Sequence, residues 1–498
     1  MAIELEQAPA LTRFNKIAYA VGGVPALIEQ RGLSAFLLIF YNQVVGLPPY
    51  LVTSALLITA IFDAFCDPVV GQISDNFRSR WGRRHPFIYA SIVPLSLGYF
   101  LIWWPPLNWS QTMLFAYLLG MLLIVRVADS CYELPSSALL PELTPDYNER
   151  TGILSLRTLF ALIGGMSMSM LALRVFLRES SNGAGGVLAR HGYFGYGLAS
   201  ALIIAVTIII SAVGTQGRIP YLSKPRRRSV TLKAMLGEVA ATISNRSLLA
   251  LIVTGILMSI CNGAKAGLEI YFGLYFWELE QSQLATLVVA SLIGIFAGVA
   301  LAPPLARGLG KRPAAVTVIV AGIIGNGGPV FARLFGVMPP NHTQALFVIL
   351  FADVAFTFCV ATATTILMTS MLNDVVEDVE VKTGRRSEGL LLAADTLCRK
   401  LVSSLGIFIA GLILTLIGFP RKAARGSVPP ELVGKLAYAY VVMTVLYTLA
   451  LCILYFYRID RTAHERNLRT LLDRRGNEHE TVRSVYGGES SSRENLSR

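Results

Sequence analysis

Ala60-Ile-Phe-Asp-Ala-Phe-Cys-Asp-Pro-Val-Val-Gly-Gln-Ile-Ser-Asp75 places two carboxylates, Asp63 and Asp67, inside an apolar run that begins near Tyr50. Their i, i+4 spacing puts both on one face of a helix. Ionisable groups at membrane depth cost ~2.5–3.5 kcal/mol each on insertion scales, and by default they mark function. The next segment, Asn76-Phe-Arg-Ser-Arg-Trp-Gly-Arg-Arg-His-Pro86, is densely basic. A buried acidic pair followed by a basic turn is the pattern to trace through the chain.

The 498 residues are 54% hydrophobic and 15% charged. A soluble chain carries roughly 25% charged residues. The apolar residues here also come in blocks of about 20 or more, enough to cross a hydrocarbon core of ~30 Å. A polytopic helical membrane protein follows, with the lipid bilayer as its main partner. Twelve spans are expected at about 17–43, 50–74, 86–104, 112–138, 152–177, 196–217, 247–276, 284–306, 313–336, 343–371, 388–418 and 435–457. Turn breakers separate them: Gly46-Leu-Pro-Pro49, Pro105-Pro106, Pro303-Pro304, Pro339-Pro340 and Pro429-Pro430.

The net charge of +12 does not point to nucleic acid, because Lys and Arg sit in short loops and in the tail. Alternate loops carry them: Arg78 to Arg84, Arg150, Arg218 to Lys233, Arg307 to Arg312, and Lys382 to Arg386. The loops at 44–50, 105–111, 277–283 and 337–342 carry none. The positive-inside rule then sets both termini in the cytoplasm of a cell (inner) membrane protein.

A polar linker at 218–246 separates an N-terminal six-helix bundle, 1–217, from a C-terminal one, 247–457, and a charged tail fills 458–498. The basic turn after span 2 has a shorter echo after span 8, Ala306-Arg-Gly-Leu-Gly-Lys-Arg-Pro313. An echo at the same place in each half implies two pseudo-symmetric bundles.

Charges within the spans cluster. They are Glu29 and Arg31; Asp63 and Asp67; Arg126, Asp129 and Glu133; Arg157; Lys265 and Glu269; Asp353; and Asp395, Arg399 and Lys400. Lys265 with Glu269, and Asp395 with Arg399, are i, i+4 and are expected to neutralise each other along one helix. Asp63 and Asp67 repel, so both stay ionised only beside a cation. That cation is Na⁺, a proton or a basic side chain from another helix, as a cation-coupled carrier requires. The glycine pairs Gly22-Gly23, Gly164-Gly165 and Gly294 with Gly298 are expected to serve close helix packing. The five histidines fall in loops or the tail, no HExxH is present, and the cysteines lack metal-ligand spacing, so an enzyme is not expected.

Asp63 to Gly71 with Arg78 to Phe87 resembles the glycoside–pentoside–hexuronide:cation symporters of the major facilitator superfamily. Tyr41-Asn-Gln-Val-Val-Gly-Leu47, Leu140 to Thr151 and Asn373 to Gly389 are similar to further motifs of that family, in order along the chain. The resemblance implies the major facilitator fold and symport of a sugar or glycoside with Na⁺ or H⁺ by alternating access, without another cofactor and as a functional monomer. It implies a cation site of Asp63, Asp67, Glu133 and Lys400, with Na⁺ on Asp63 and Asp67 if sodium is coupled. Solute contacts would come from Glu133, Arg157, Asp129 and Arg399, and orientation and gating from Arg80, Gly82, Arg83 and Arg84. Two of the family's sugar contacts are missing: its span 1 aspartate aligns with Leu27, and its span 4 tryptophan with Ser137. Glu29, two residues beyond Leu27, faces elsewhere. A non-sugar amphipathic solute such as a lysolipid, or uncoupled uniport, is the alternative.

Overall fold

The computed structural model describes residues 9–179, 186–221, 246–383 and 388–457, with positions 466 and 470; side chains at 246, 379, 380, 382, 383 and 388–400 lie outside it. The Lys224 to Ser229 segment of the linker and most of the tail also fall outside the described residues. The described chain is helical. Its spans are α1 (Arg13–Val45), α2 (Pro49–Asn76), α3 (His85–Ile102), α4 (Gln111–Leu143), α5 (Tyr147–Phe176) and α6 (Arg190–Gln216). In the second half they are α7 (Ser247–Phe276), α8 (Gln281–Leu309), α9 (Lys311–Leu334), α10 (Gln344–Thr383), α11 (Glu388–Leu416) and α12 (Pro430–Leu454).

The packing order shows how the halves relate. In the first half α1 packs on α5 and α6, α2 on α4, and α3 on α4 and α6. In the second, α7 packs on α11 and α12, α8 on α10, and α9 on α10 and α12. Adding six to each helix number turns the first set into the second. Contacts between halves follow the same rule: α2 meets α11, α5 meets α8, and α1 meets α7. This is the symmetry of two six-helix repeats about a pseudo-two-fold axis. Large apolar side chains remain exposed in helical stripes, such as Phe65, Val69 and Ile73 on α2 and Val442, Val445 and Leu449 on α12. Such stripes suit contact with lipid, which offers no hydrogen bonds.

Several helices outrun their apolar cores. α4 continues from the expected 138 to Leu143, and α10 from 371 to Thr383. Hydropathy marks only the membrane-depth part of these helices. Ser110 caps α4 by accepting from Met113 N–H, and Asp146 caps α5 by accepting from Asn148 and Glu149 N–H. Pro303-Pro304, expected to break the chain, instead lies within α8. Prolines are tolerated within membrane helices because neighbouring groups satisfy the freed carbonyls. His85 starts α3 and His191 sits in the first turn of α6, where loops were expected. α1 is interrupted by a turn at Gly22-Gly23, and α1, α5 and α7 each end on a π-turn, at Phe40–Val45, Ala172–Phe176 and Phe272–Phe276.

Glycines set the closest crossings. A Cβ at Gly294 would strike the Ala355 carbonyl of α10, and one at Gly298 the Cys359 carbonyl. Gly263 of α7 and Gly406 of α11 are mutually close, with the Gly406 Cβ position 3.0 Å from Gly263 Cα. Gly308, further along α8, has open space beside it. Gly298→Leu should therefore destabilise the protein by about 1–3 kcal/mol, the usual cost of overpacking. Gly308→Ala should leave the melting temperature in detergent within experimental scatter, and equal melting of both variants would contradict the packing assigned to Gly298.

Candidate functional site

Asp63 is buried on the inner face of α2, one turn before Asp67. Ser130 of α4 bridges them, its hydroxyl 2.6 Å from Asp67 Oδ1 and 3.4 Å from Asp63 Oδ1. One turn back on α4 lies Arg126. Its guanidinium lies 3.2 Å from Glu29 Oε1 of α1 and 3.8 Å from Asp129 Oδ2. Its charge also acts on Asp63 and Asp67. The site thus joins α1, α2 and α4 through four carboxylates, one guanidinium and one hydroxyl. Carboxylate and hydroxyl oxygens are hard donors that suit Na⁺, and either carboxylate could instead take a proton. Among the described residues, no three His, Cys, Asp or Glu side chains gather tightly enough for a metal centre.

Glu133, expected beside the aspartates, turns towards α5. Arg157 donates to Glu133 Oε2 at 2.8 Å and to Ser136 Oγ at 2.9 Å, and it lies 5.0 Å from the ring centre of Tyr19. The structure thus brings the two solute candidates Glu133 and Arg157 together, and places Asp129 with Arg126. The side chains of Arg399 and Lys400 lie outside the described residues. Glu29 does face away from Leu27, as expected: Leu27 packs where Gly165 of α5 leaves space, while Glu29 reaches Arg126.

The basic turn is fastened at the far end of the same helices. Arg83 pairs with Glu142 of α4; Arg84 lies 3.0 Å from Glu142 and 3.9 Å from Asp75, and donates to the Ala138 carbonyl. Burial, reinforced by the neighbouring Arg83, lowers the Arg84 pKa to about 10, so it stays charged at neutral pH. Gly82 takes φ +74° and packs on Ile219, while Arg80 rests over Trp81 at 5.3 Å. The echo after α8 behaves alike: Lys311 pairs with Asp374 of α10 at 2.6 Å. Both turns tie the start of one helix to the end of the helix following it in the chain.

Among the described residues, a group of hydrogen bonds between the halves lies at the opposite end. Tyr271 O–H donates to Asn42 Oδ1 at 2.8 Å, Gln43 Nε2 to the Pro420 carbonyl at 3.0 Å, and Ala423 N–H to Gln43 Oε1 at 2.8 Å. Arg174 donates to Thr286 at 3.2 Å, and Arg425 lies 3.8 Å from Glu179.

Between the halves lies a cavity of about 450 Å³, within the range of small-molecule sites. Its polar groups come mainly from the second half: Asn262, Lys265 and Glu269 of α7, Asn326 of α9, Asp353 of α10 and Tyr440 of α12. Arg31 and Phe36 reach it from α1, and Met166 and Ser169 from α5. None of Asp63, Asp67, Asp129, Glu133 or Arg157 lines it. Lys265 and Glu269, expected to neutralise each other along α7, remain coupled by charge, while the Lys265 ammonium donates across to Asn326 of α9. Glu269 is exposed on the cavity side of α7.

The sequence reading missed Ser130 and the role of Arg126. Both were detectable, since Arg126, Asp129, Ser130 and Glu133 recur at helical spacing on one stripe of α4. Asn326 and Glu142 carried no such signal, because their partners are distant in sequence.

Residues 18–461 match the model of the MFS/sugar transport protein family. The chain is 26% identical to the putative glycoside/cation symporter YagG of Escherichia coli (strain K12), covering 95% of this chain and 97% of that one. It is 25% identical to the sodium-dependent lysophosphatidylcholine symporter 1-A of Danio rerio, covering 94% of this chain and 89% of that one. In fold it is similar to the crystal structure of the nucleoside transporter NupG, with a TM-score of 0.59 at 12% identity, covering 90% of this chain and 100% of that one. The chain therefore belongs to the MFS/sugar transport protein family and is a multi-pass membrane transporter, not an enzyme.

Proposed function

We propose that the protein is a secondary active symporter that moves a sugar or glycoside with Na⁺ or H⁺ by alternating access. The observation that carries this reading is the Asp63–Asp67–Ser130 cluster, with Arg126 one turn back on α4 and within range of its charge. Two adjacent carboxylates are stable in a low dielectric only when a positive charge sits among them. A coupling ion entering the cluster would share that role with Arg126. The guanidinium could then rely on Glu29 and Asp129. Lys400, on the helix that packs against α2, is a second candidate for compensation. Similarity to a putative glycoside/cation symporter supports the sugar class.

We infer a cell (inner) membrane location with both termini and both basic turns in the cytoplasm, following the positive-inside rule. On that orientation the described bonds between halves close the outer face, and the central cavity belongs to an inward-facing state. The pairings of Arg83 and Arg84 with Glu142, and of Lys311 with Asp374, would then hold each half rigid while the halves rock. The boundaries at 217, 246 and 457 give the two rocking units.

Transport of an amphipathic lysolipid is the second reading. It is favoured by the apolar walls of the cavity, including Leu173, Leu284 and Val288, and by the similarity to a lysophosphatidylcholine symporter.

Moving one charge through 100 mV supplies ~2.3 kcal/mol, enough for a solute gradient of roughly fiftyfold. In proteoliposomes with an imposed Na⁺ or proton gradient, Asp63→Asn and Asp67→Asn should each abolish uphill glycoside uptake while leaving exchange down a gradient. Uphill accumulation undiminished in both variants would refute the coupling role. Arg126→Gln should change the cation concentration for half-maximal uptake by about tenfold or more, as expected when one charge within a few ångströms is removed. An unchanged cation dependence would dismiss Arg126 as the compensating group.

A further inference from the structure

The exposed apolar stripes end in arginine and aromatic side chains. On α2, Phe65, Val69 and Ile73 repeat at i, i+4, and the next member of the series is the exposed Phe77, just past the helix end. Arg78, Arg80 and Trp81 follow it, all exposed. On α12, the exposed Val445 and Leu449 lead on to the exposed Tyr455 and Phe456. Arg312 of the second basic turn donates to the Tyr455 carbonyl at 2.9 Å and lies 5.1 Å from its ring centre. Arg80 lies 5.3 Å from the ring centre of Trp81. Both halves thus run an apolar stripe into an exposed aromatic ring with an arginine against it, at the end that carries the basic turns. The arginines of the first turn divide into two groups. Arg83 and Arg84 reach inward to Glu142. Arg78 and Arg80 stay on the surface and, among the described residues, form no ion pair. Asp75, the acid nearest them in the chain, lies 3.9 Å from Arg84.

We propose that Phe77, Arg78, Arg80 and Trp81 form a binding surface for the headgroup of an anionic phospholipid. The stripe of α2 sets the depth. It lies among acyl chains, so the residues that continue it sit where the hydrocarbon ends. Indole rings settle at that level, with an apolar body towards the chains and a polar edge towards the headgroups. A guanidinium donates two parallel hydrogen bonds to phosphate oxygens, a geometry an ammonium does not match. Attraction to the Trp81 face holds the Arg80 guanidinium beside the ring, at headgroup level. Two cations with no carboxylate to offset them favour a lipid of net negative charge. A zwitterionic headgroup brings its own ammonium, which they repel. Because Arg83 and Arg84 fasten this turn to α4, a lipid held by Arg78 and Arg80 is held at a fixed point of the first bundle. The surface requires only that the helices cross a bilayer. It is independent of the solute, the coupling ion and the side of the membrane on which the turn lies.

The test uses full-length protein in bilayers of phosphatidylcholine with a minor fraction of phosphatidylglycerol. In one preparation only the phosphatidylglycerol carries brominated acyl chains, which quench tryptophan fluorescence on contact. In the other only the phosphatidylcholine carries them, so the overall lipid composition stays the same. Subtracting the signal of the Trp81→Phe variant isolates the emission of Trp81. The expected result is quenching that reports a preference of about tenfold for phosphatidylglycerol, as two cations at an anionic surface supply. Arg78→Gln combined with Arg80→Gln should remove that preference, and rising salt should weaken it. Arg421→Gln, which removes an exposed arginine at the opposite end, should leave it in place. Melting temperatures certify that each variant is folded. Quenching of Trp81 in simple proportion to bilayer composition overturns the proposal. So does a preference that survives in the folded double variant, or one abolished by inorganic phosphate, which would mark a site for soluble anions.

Discussion

A charge placed among membrane helices must meet an opposite charge or a dense set of hydrogen bonds, and this constraint organises the protein. The first half meets it around Arg126, which holds Glu29 and Asp129 and acts on Asp63 and Asp67. Removing the guanidinium would leave four carboxylates crowded between α1, α2 and α4. Their placement is therefore a property of the set, and no single acid can be understood apart from the others.

The second half meets the same constraint differently. Lys265, Glu269 and Asp353 face a cavity, where water or a solute can complete their hydrogen bonds. The two halves share a helix arrangement but not a charge arrangement. Pseudo-symmetry relates α2 to α8, yet α8 carries no counterpart of Asp63 and Asp67; it carries Gly294 and Gly298, which bring it against the backbone of α10. Duplicated architecture thus carries two charge arrangements, an acidic cluster around Arg126 in one bundle and cavity-lining charges in the other. The basic turns retain the common function: Glu142 and Asp374 fasten them at equivalent places.

A mobile carrier needs interfaces that can part. Among the described residues, the bonds between halves at Asn42, Gln43 and Thr286 lie at one end. Within each half, glycines bring helix backbones into contact, as Gly298 does on α10. The π-turns that end α1, α5 and α7 lie at the same end as those bonds.

The sequence alone determined the membrane class, the twelve spans and the acidic pair, because apolar length and the i, i+4 spacing of Asp63 and Asp67 are local properties. It also carried the echo of the basic turn, whose partner residues in the two halves prove equivalent. It did not reveal that Pro303-Pro304 would continue a helix, since that depends on neighbours able to satisfy the backbone. Tertiary structure alone decided where the charges point: Glu133 to Arg157, Lys265 to Asn326, and Glu29 to Arg126. Each of these joins two different helices, and a linear spacing rule describes only one helix at a time. The cavity was hidden for the same reason, as its walls are drawn from seven helices of both bundles.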